Sequence, residues 1–181
     1  MVKGKGGNNM DSTRWFDENG NEIIRKPIDL EEVEPIAEIG GTFEEFSVGL
    51  NFYSEKLDKA EITRLIGAEP TKSWNPGESH PIGNSKKTRI TDWGKWYLIS
   101  KRDNTDLNIK LKELLGSLTS DLEKWKLLTS KYDAWIDVAG YMENWNRGFT
   151  LQSEVMKMLS DRNLEIIFDI YYDGDKDEDV E

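Results

Sequence analysis

Hydrophobic and polar residues alternate with a period of two in four segments of this chain and recur every three or four residues in others. Phe46, Val48, Leu50 and Phe52 alternate with Ser47, Gly49 and Asn51, as in a strand covered on one face. The segments 95–101, 132–141 and 164–172 repeat that pattern and predict three more strands. After the first strand, Asp58 stands three residues before Glu61, ahead of an apolar stripe of Ile62, Leu65 and Ile66 that Gly67 and Pro70 close, so a short helix is expected there. Leu107, Leu111, Leu114, Leu115, Leu118, Leu122 and Trp125 form a longer helical stripe. Gly116 and a restart at Ser120 to Glu123 break it, because a glycine inside a helix costs about 1 kcal/mol. Thr150 is placed to cap a last helix that turns Leu151, Val155, Met158 and Leu159 inward.

The order strand, helix, strand, helix, strand, helix, strand implies an α+β fold. The expectation is a two-layer sandwich over residues 42–172: a four-stranded, mainly antiparallel sheet with helices on one face, ferredoxin-like in its logic, with two β–α–β units joined by a helix. Residues 1–13 are rich in Gly, Asn and Lys with little to bury and are expected to be disordered. Residues 14–41 predict a small hairpin turning at Asn19-Gly20 in a type I′ turn, then an acidic linker framed by Pro27 and Pro35. Residues 173–181 form an acidic tail, expected to be disordered.

Composition narrows the chemistry. The chain of 181 residues has no cysteine and a single histidine, His80. Thiolate nucleophiles, Cys-based zinc sites and multi-His metal sites are thereby excluded, and no metal or other cofactor is implied. No apolar run approaches the roughly 18 residues of a spanning helix, and the first residues lack a signal-peptide core, so a cytoplasmic location is expected and no membrane partner. The formal net charge is −11. It is concentrated at the ends: residues 1–41 hold five basic and nine acidic side chains, and 173–181 hold one and six. The body between them is almost neutral.

With helices on one face, the alternate strand positions Asn51, Tyr97, Ile99, Asp137, Ala139, Tyr141, Asp169 and Tyr171 fall on the other. That face is either solvated, or covered by the N-terminal hairpin through Trp15 and Phe16, or a recognition surface, for which Tyr and Trp are well suited. Tyr97, Asp137, Tyr141, Asp169 and Tyr171 are the candidate binding face. A nucleic-acid surface would interleave its aromatics with lysine and arginine, whereas these are interleaved with aspartates, so no nucleic-acid partner is expected. A paired-carboxylate site at Asp137 and Asp169 would require a proximity across the sheet that sequence spacing does not supply. A second candidate is the Pro- and Gly-rich loop 72–96, with Trp74, Glu78, His80 and Trp93 as anchors. Trp74 and Trp93 are either a lid over the core or an exposed ligand platform, and His80 is expected to be an exposed imidazole. Lys86, Lys87 and Arg89 in the same loop could hold an anion.

Several of these residues together resemble a known family. Glu61-Ile62-Thr63 with Gly67, Glu69-Pro70-Thr71, Gly77-Glu78, the spaced Trp96, Leu98 and Ser100, and the closing strand to Tyr172 followed by Gly174 are similar to the bacterial domain-of-unknown-function family numbered 4279, over about residues 44–174. Glu78 departs from the aspartate more usual there. The resemblance implies the α+β fold and a bacterial or phage origin, and it carries over no catalytic residue. Small acidic, cysteine-free domains of this kind are often found as immunity proteins beside toxins. With no catalytic constellation, acidic termini that would speed encounter with a basic partner, and a surplus of Trp and Tyr, the expected function is a non-enzymatic protein-binding domain, an immunity or antagonist protein that neutralises a basic protein partner. The alternative is a small-molecule or anion-binding domain, enzymatic or not, that uses the 72–96 loop as a lid.

Overall fold

A computed structural model describes residues 16–22, 41–83 and 85–173. The chain divides into two compact units, Met1–Glu38 and Ile39–Glu181. The expectations for residues 1–13, for Trp15 and the linker up to residue 40, and for the tail beyond Asp173 lie outside the described residues. In the first unit Phe16 bridges Glu22. Only Gly20 of the Asn19-Gly20 pair takes a positive φ, of +81°. The expected type I′ turn needs positive φ at both central residues and does not form. The Asp17 carboxylate decides this, since it accepts from the backbone N–H groups of Asn19 at 2.9 Å and Asn21 at 2.8 Å and so winds the turn around itself.

The second unit runs β1 (Glu45–Ser54), α1 (Lys59–Ile66), β2 (Lys72–Trp74), β3 (Ser79–Pro81), β4 (Thr88–Ile90), β5 (Gly94–Ile99), α2 (Leu107–Gly116), α3 (Leu122–Lys131), β6 (Asp133–Met142), α4 (Ser153–Asp161) and β7 (Glu165–Tyr172). Among the described residues the main sheet has five strands in the order β2-β5-β1-β6-β7, and β3 pairs with β4 as a separate hairpin. The expected sheet had four. The fifth strand, β2, is three residues long, too short for alternation to reveal, and exists because Lys72, Ser73 and Trp74 find Tyr97, Trp96 and Lys95 beside them. The two β–α–β passages also differ from each other. β1 and β5 are antiparallel neighbours, whereas β6 and β7 are parallel neighbours bridged by α4.

The helices start and stop where local chemistry directs them. The Asp58 carboxylate caps α1 by accepting from the N–H groups of Ala60 and Glu61. The long leucine stripe is two helices, α2 and α3, and Asp121 rather than Ser120 caps the second. Thr150 does not cap α4. Gln152 holds that position without a side-chain capping bond, and the Thr150 carbonyl instead accepts from Asn108 Nδ2 at 2.8 Å.

One core unites these elements. Every sheet residue in it has an even number: Phe46, Val48, Leu50 and Phe52 on β1, Trp96 on β5, Ile136 and Val138 on β6. The helices meet that face through Ile62, Leu65 and Ile66, through Leu107, Leu111 and Leu115, through Trp125 and Leu128, and through Val155 and Leu159. The odd-numbered face contributes no residue to this core.

At its edge, Glu61 fastens α1 to the end of α3, accepting from Lys131 Nζ and from the Tyr132 hydroxyl at 2.6 Å each. The Lys131 bond is the main reason the Glu61 carboxyl sits below its ordinary 4.5, and burial is the main reason the Tyr132 phenol is pushed up to about 12. A carboxyl with a depressed folded pKa contributes stability that is complete above its unfolded value and is lost as the pH falls through its folded value. Glu61→Gln is therefore expected to cost about 1 kcal/mol at neutral pH, and its stability should converge on that of the parent protein as the pH falls through the folded value of the Glu61 carboxyl. Urea unfolding at several pH values checks this; a parallel offset at every pH would rule the latch out.

Candidate functional site

The odd-numbered face brings together all five residues assigned to the candidate binding face. Antiparallel pairing sets Asn51 between Tyr97 and Trp135, and Gly49 opposite Asp137. Asp137 accepts two hydrogen bonds, from Asn51 Nδ2 at 2.7 Å and from Trp135 Nε1 at 2.6 Å. Asn51 is fully buried beneath these neighbours, and its Oδ1 has no hydrogen-bond partner among the described residues. The Tyr97 ring lies flat over β1, where a β-carbon on Gly49 would come within 2.6 Å of Cε2, so only glycine admits it there. Lys95 Nζ sits 4.7 Å from the centre of the same ring. Burial, reinforced by the Asp137 charge, pushes the Tyr97 phenol up to about 12, and burial lowers the Lys95 ammonium against the pull of Asp137.

Further along the face Tyr141 stacks on Tyr171 at 5.1 Å and 17°, and the Arg102 guanidinium covers Tyr141 from 3.4 Å. Arg102 is held there by Glu45 and, at 2.9 Å, by Asp173. Asp169 stands opposite Ala139, exposed, with no hydrogen bond or ion pair among the described residues. Asp137 and Asp169 lie on adjacent strands two register positions apart, and both Asp137 oxygens are engaged by donors. The odd positions of β6 and β7 together form a strip with four carboxylates, Asp133, Asp137, Glu165 and Asp169, and no basic side chain. Trp135, Ile167 and Tyr171 lie between them.

The loop anchors gather at the other end of this face. Trp74 emerges from β2 with the odd parity of Lys95, and Trp93 stacks on Tyr53 at 4.7 Å. The His80 ring lies flat on Trp74 at 4.1 Å and 6°. His80 is 3% exposed, which corrects the expected exposed imidazole: its strand pairs with β4 and slides the ring between two indoles. Arg89 Nε donates to His80 Nε2 at 3.2 Å, so the ring carries its proton on Nδ1, which donates to the Glu78 carbonyl at 3.2 Å. Glu78 accepts from Lys59 Nζ at 2.6 Å and from the Asn75 N–H at 2.9 Å, tying the turn to the start of α1. The Lys59 bond is the leading cause of its depressed pKa. Glu78, His80 and Arg89 thus engage each other and the loop itself, while Lys86 and Lys87 remain exposed.

Sequence parity alone could have added Trp135, Lys95 and Tyr53 to the face, since all three are odd-numbered strand positions. Arg102 lies outside any strand, and nothing in its neighbourhood signalled that it would cover Tyr141. Among the described residues no group of three His, Asp or Glu side chains is placed to hold a metal ion, and no helix is long and apolar enough to cross a membrane.

Fold and face define an α+β domain with one covered sheet face and one aromatic face that is acidic along β6 and β7. Residues 44–173 match the family described as Domain of unknown function (DUF4279), and the chain belongs to that family. No curated protein and no solved structure matches it.

Proposed function

We propose that this chain is a non-enzymatic protein-binding domain that neutralises a basic partner, in the manner of an immunity protein acting on a toxin. The observation that carries the reading is the β6–β7 strip, where four carboxylates without a base alternate with Trp135, Ile167 and Tyr171. Carboxylates on a rim steer a basic protein into encounter, and half-exposed aromatics supply the area that holds it. Helices against one face in a two-layer arrangement leave the opposite face for this use, and a cytoplasmic site of action accords with the lack of a spanning helix among the described residues. The rival reading, a lid over an anion at loop 72–96, is weakened because the Glu78 carboxylate accepts from Lys59 and Asn75 while Arg89 donates to His80.

Asp169→Lys tests the proposal on a side chain that supports nothing else. Tagged protein and this variant are used to capture partners from a lysate of the source organism at low salt, and the recovered proteins are identified by mass spectrometry. A basic protein held stoichiometrically by the parent chain, released by high salt and bound about tenfold or more weakly by the variant is the expected result. Equal recovery by both chains, or no basic protein at all, would refute it.

A further inference from the structure

The two edges of the main sheet differ. The β2 edge is three residues long, carries Lys72 and is flanked by Pro70 and Pro76, all features that keep an edge from pairing further. The β7 edge is eight residues long, Glu-Ile-Ile-Phe-Asp-Ile-Tyr-Tyr, with neither proline nor a basic residue. The Asp173 N–H donates to the Met142 carbonyl at 2.8 Å. In a parallel ladder the N–H and C=O of one residue point the same way and alternate along the strand. Odd-numbered residues of β7 therefore face β6, and Ile166, Phe168 and Ile170 turn their amides and carbonyls outward, where no described residue pairs with them. Ile167 and Ile170, each 45% exposed, flank that edge on opposite faces of the sheet. Beside its first half opens a cleft of about 1010 Å³ whose lining includes Leu151, Met156 and Leu159 with Ile166 and Ile167, so side chains of both sheet faces border it.

We propose that β7 accepts an added strand, so that the partner docks by pairing an extended segment with the outer edge of β7. This deepens the binding reading above and rests on it. The occupant is a basic segment with Lys or Arg at alternate positions. Those side chains lie over Asp137, Glu165 and Asp169, and the intervening apolar ones turn toward α4 and the cleft. A second copy of this chain is the poorer occupant, because symmetric pairing would set the acidic strip beside its own image, and like charges across paired strands are destabilising.

The probe is a synthetic peptide of alternating lysine and valine, matched in length to β7, with a control N-methylated at every amide. The control keeps the charge and removes the backbone donors. Amide exchange followed by NMR is expected to show Ile166, Phe168 and Ile170 exchanging faster than Ile167 and Asp169 in the free protein, and slowing about tenfold or more with the peptide. The control should bind about tenfold or more weakly. Ile170→Pro removes one outward donor at an edge position that tolerates proline, and should weaken peptide binding while leaving the unfolding midpoint near that of the parent. Three results overturn the proposal. Equal binding of the two peptides, still weakened by Asp169→Lys, would mean that charge acts without strand addition and would leave the binding reading standing. Slow exchange of Ile166, Phe168 and Ile170 in the free monomer would mean that the chain itself fills the edge. The same protection in a concentration-dependent dimer would assign the edge to a second copy.

Discussion

Trp96→Ala is expected to destabilise the 39–181 unit by about 3–5 kcal/mol, which corresponds to a fall in Tm of roughly 10 °C or more. The side chain is fully buried on β5, between β2 and β1, and meets Phe52 edge to face at 5.8 Å. Its indole Nε1 donates to Thr63 Oγ1 at 3.0 Å, which ties β5 to α1. Alanine removes the ring from a core that cannot collapse onto the gap, since β1 and β5 are fixed by their ladder, and it leaves the Thr63 hydroxyl without that donor. Trp96→Phe fills most of the space and should lose less, about 1–2 kcal/mol for the hydrogen bond and the smaller ring. Urea unfolding followed by circular dichroism reads both. A loss below about 1 kcal/mol for the alanine variant would place Trp96 outside the core.

The second large effect concerns Asp137, where charge and hydrogen bonding can be separated. Asp137→Ala strips the acceptor from Asn51 Nδ2 and Trp135 Nε1 together. A buried donor left without a partner costs about 1–3 kcal/mol, so a loss of about 2–4 kcal/mol is expected for the pair. Asp137→Asn behaves differently. Its remaining oxygen still accepts from Trp135, and its amide can donate to Asn51 Oδ1 once the Asn51 amide turns over, an oxygen that has no donor in the present arrangement. The asparagine variant should therefore unfold within about 1 kcal/mol of the parent and yet bind the basic partner more weakly, because the central charge of the strip is gone. Equal destabilisation by both substitutions would show that the negative charge, rather than the hydrogen-bond pattern, holds this part of the sheet.

These two sites mark where sequence reasoning ended. The β1 alternation identified Phe46, Val48, Leu50 and Phe52 as inward, and the structure buries all four. The same parity sorted Tyr97, Asp137, Tyr141, Asp169 and Tyr171 onto the opposite face, because a strand turns its side chains with a period of two wherever it lies. Asp58 ahead of an apolar stripe identified a helix start, and Gly116 identified a break, since capping and backbone entropy act within one turn of chain. What the residues could not reveal lies between distant segments. Asn51 and Asp137 are 86 positions apart and Tyr132 and Glu61 are 71 apart, and neither partner carries a local mark of the other.

His80 illustrates the limit most directly. Its neighbours Ser79 and Pro81 are polar or turn-forming, so its segment resembles an exposed loop, yet pairing of β3 with β4 and stacking on Trp74 bury the ring. The three-residue β2 is of the same kind, a strand only because β5 offers it a ladder. The sequence by itself determined the alternation of faces, the capped start of α1, the break at Gly116 and the acidic, cysteine-free chemistry, all of which depend on residues within a turn or two of each other. Tertiary structure alone decided the strand order, the parallel β7 edge, the burial of His80 and the clustering of Asn51, Trp135 and Asp137. Each of these depends on which distant segments share a ladder, and that choice is made by the whole core at once.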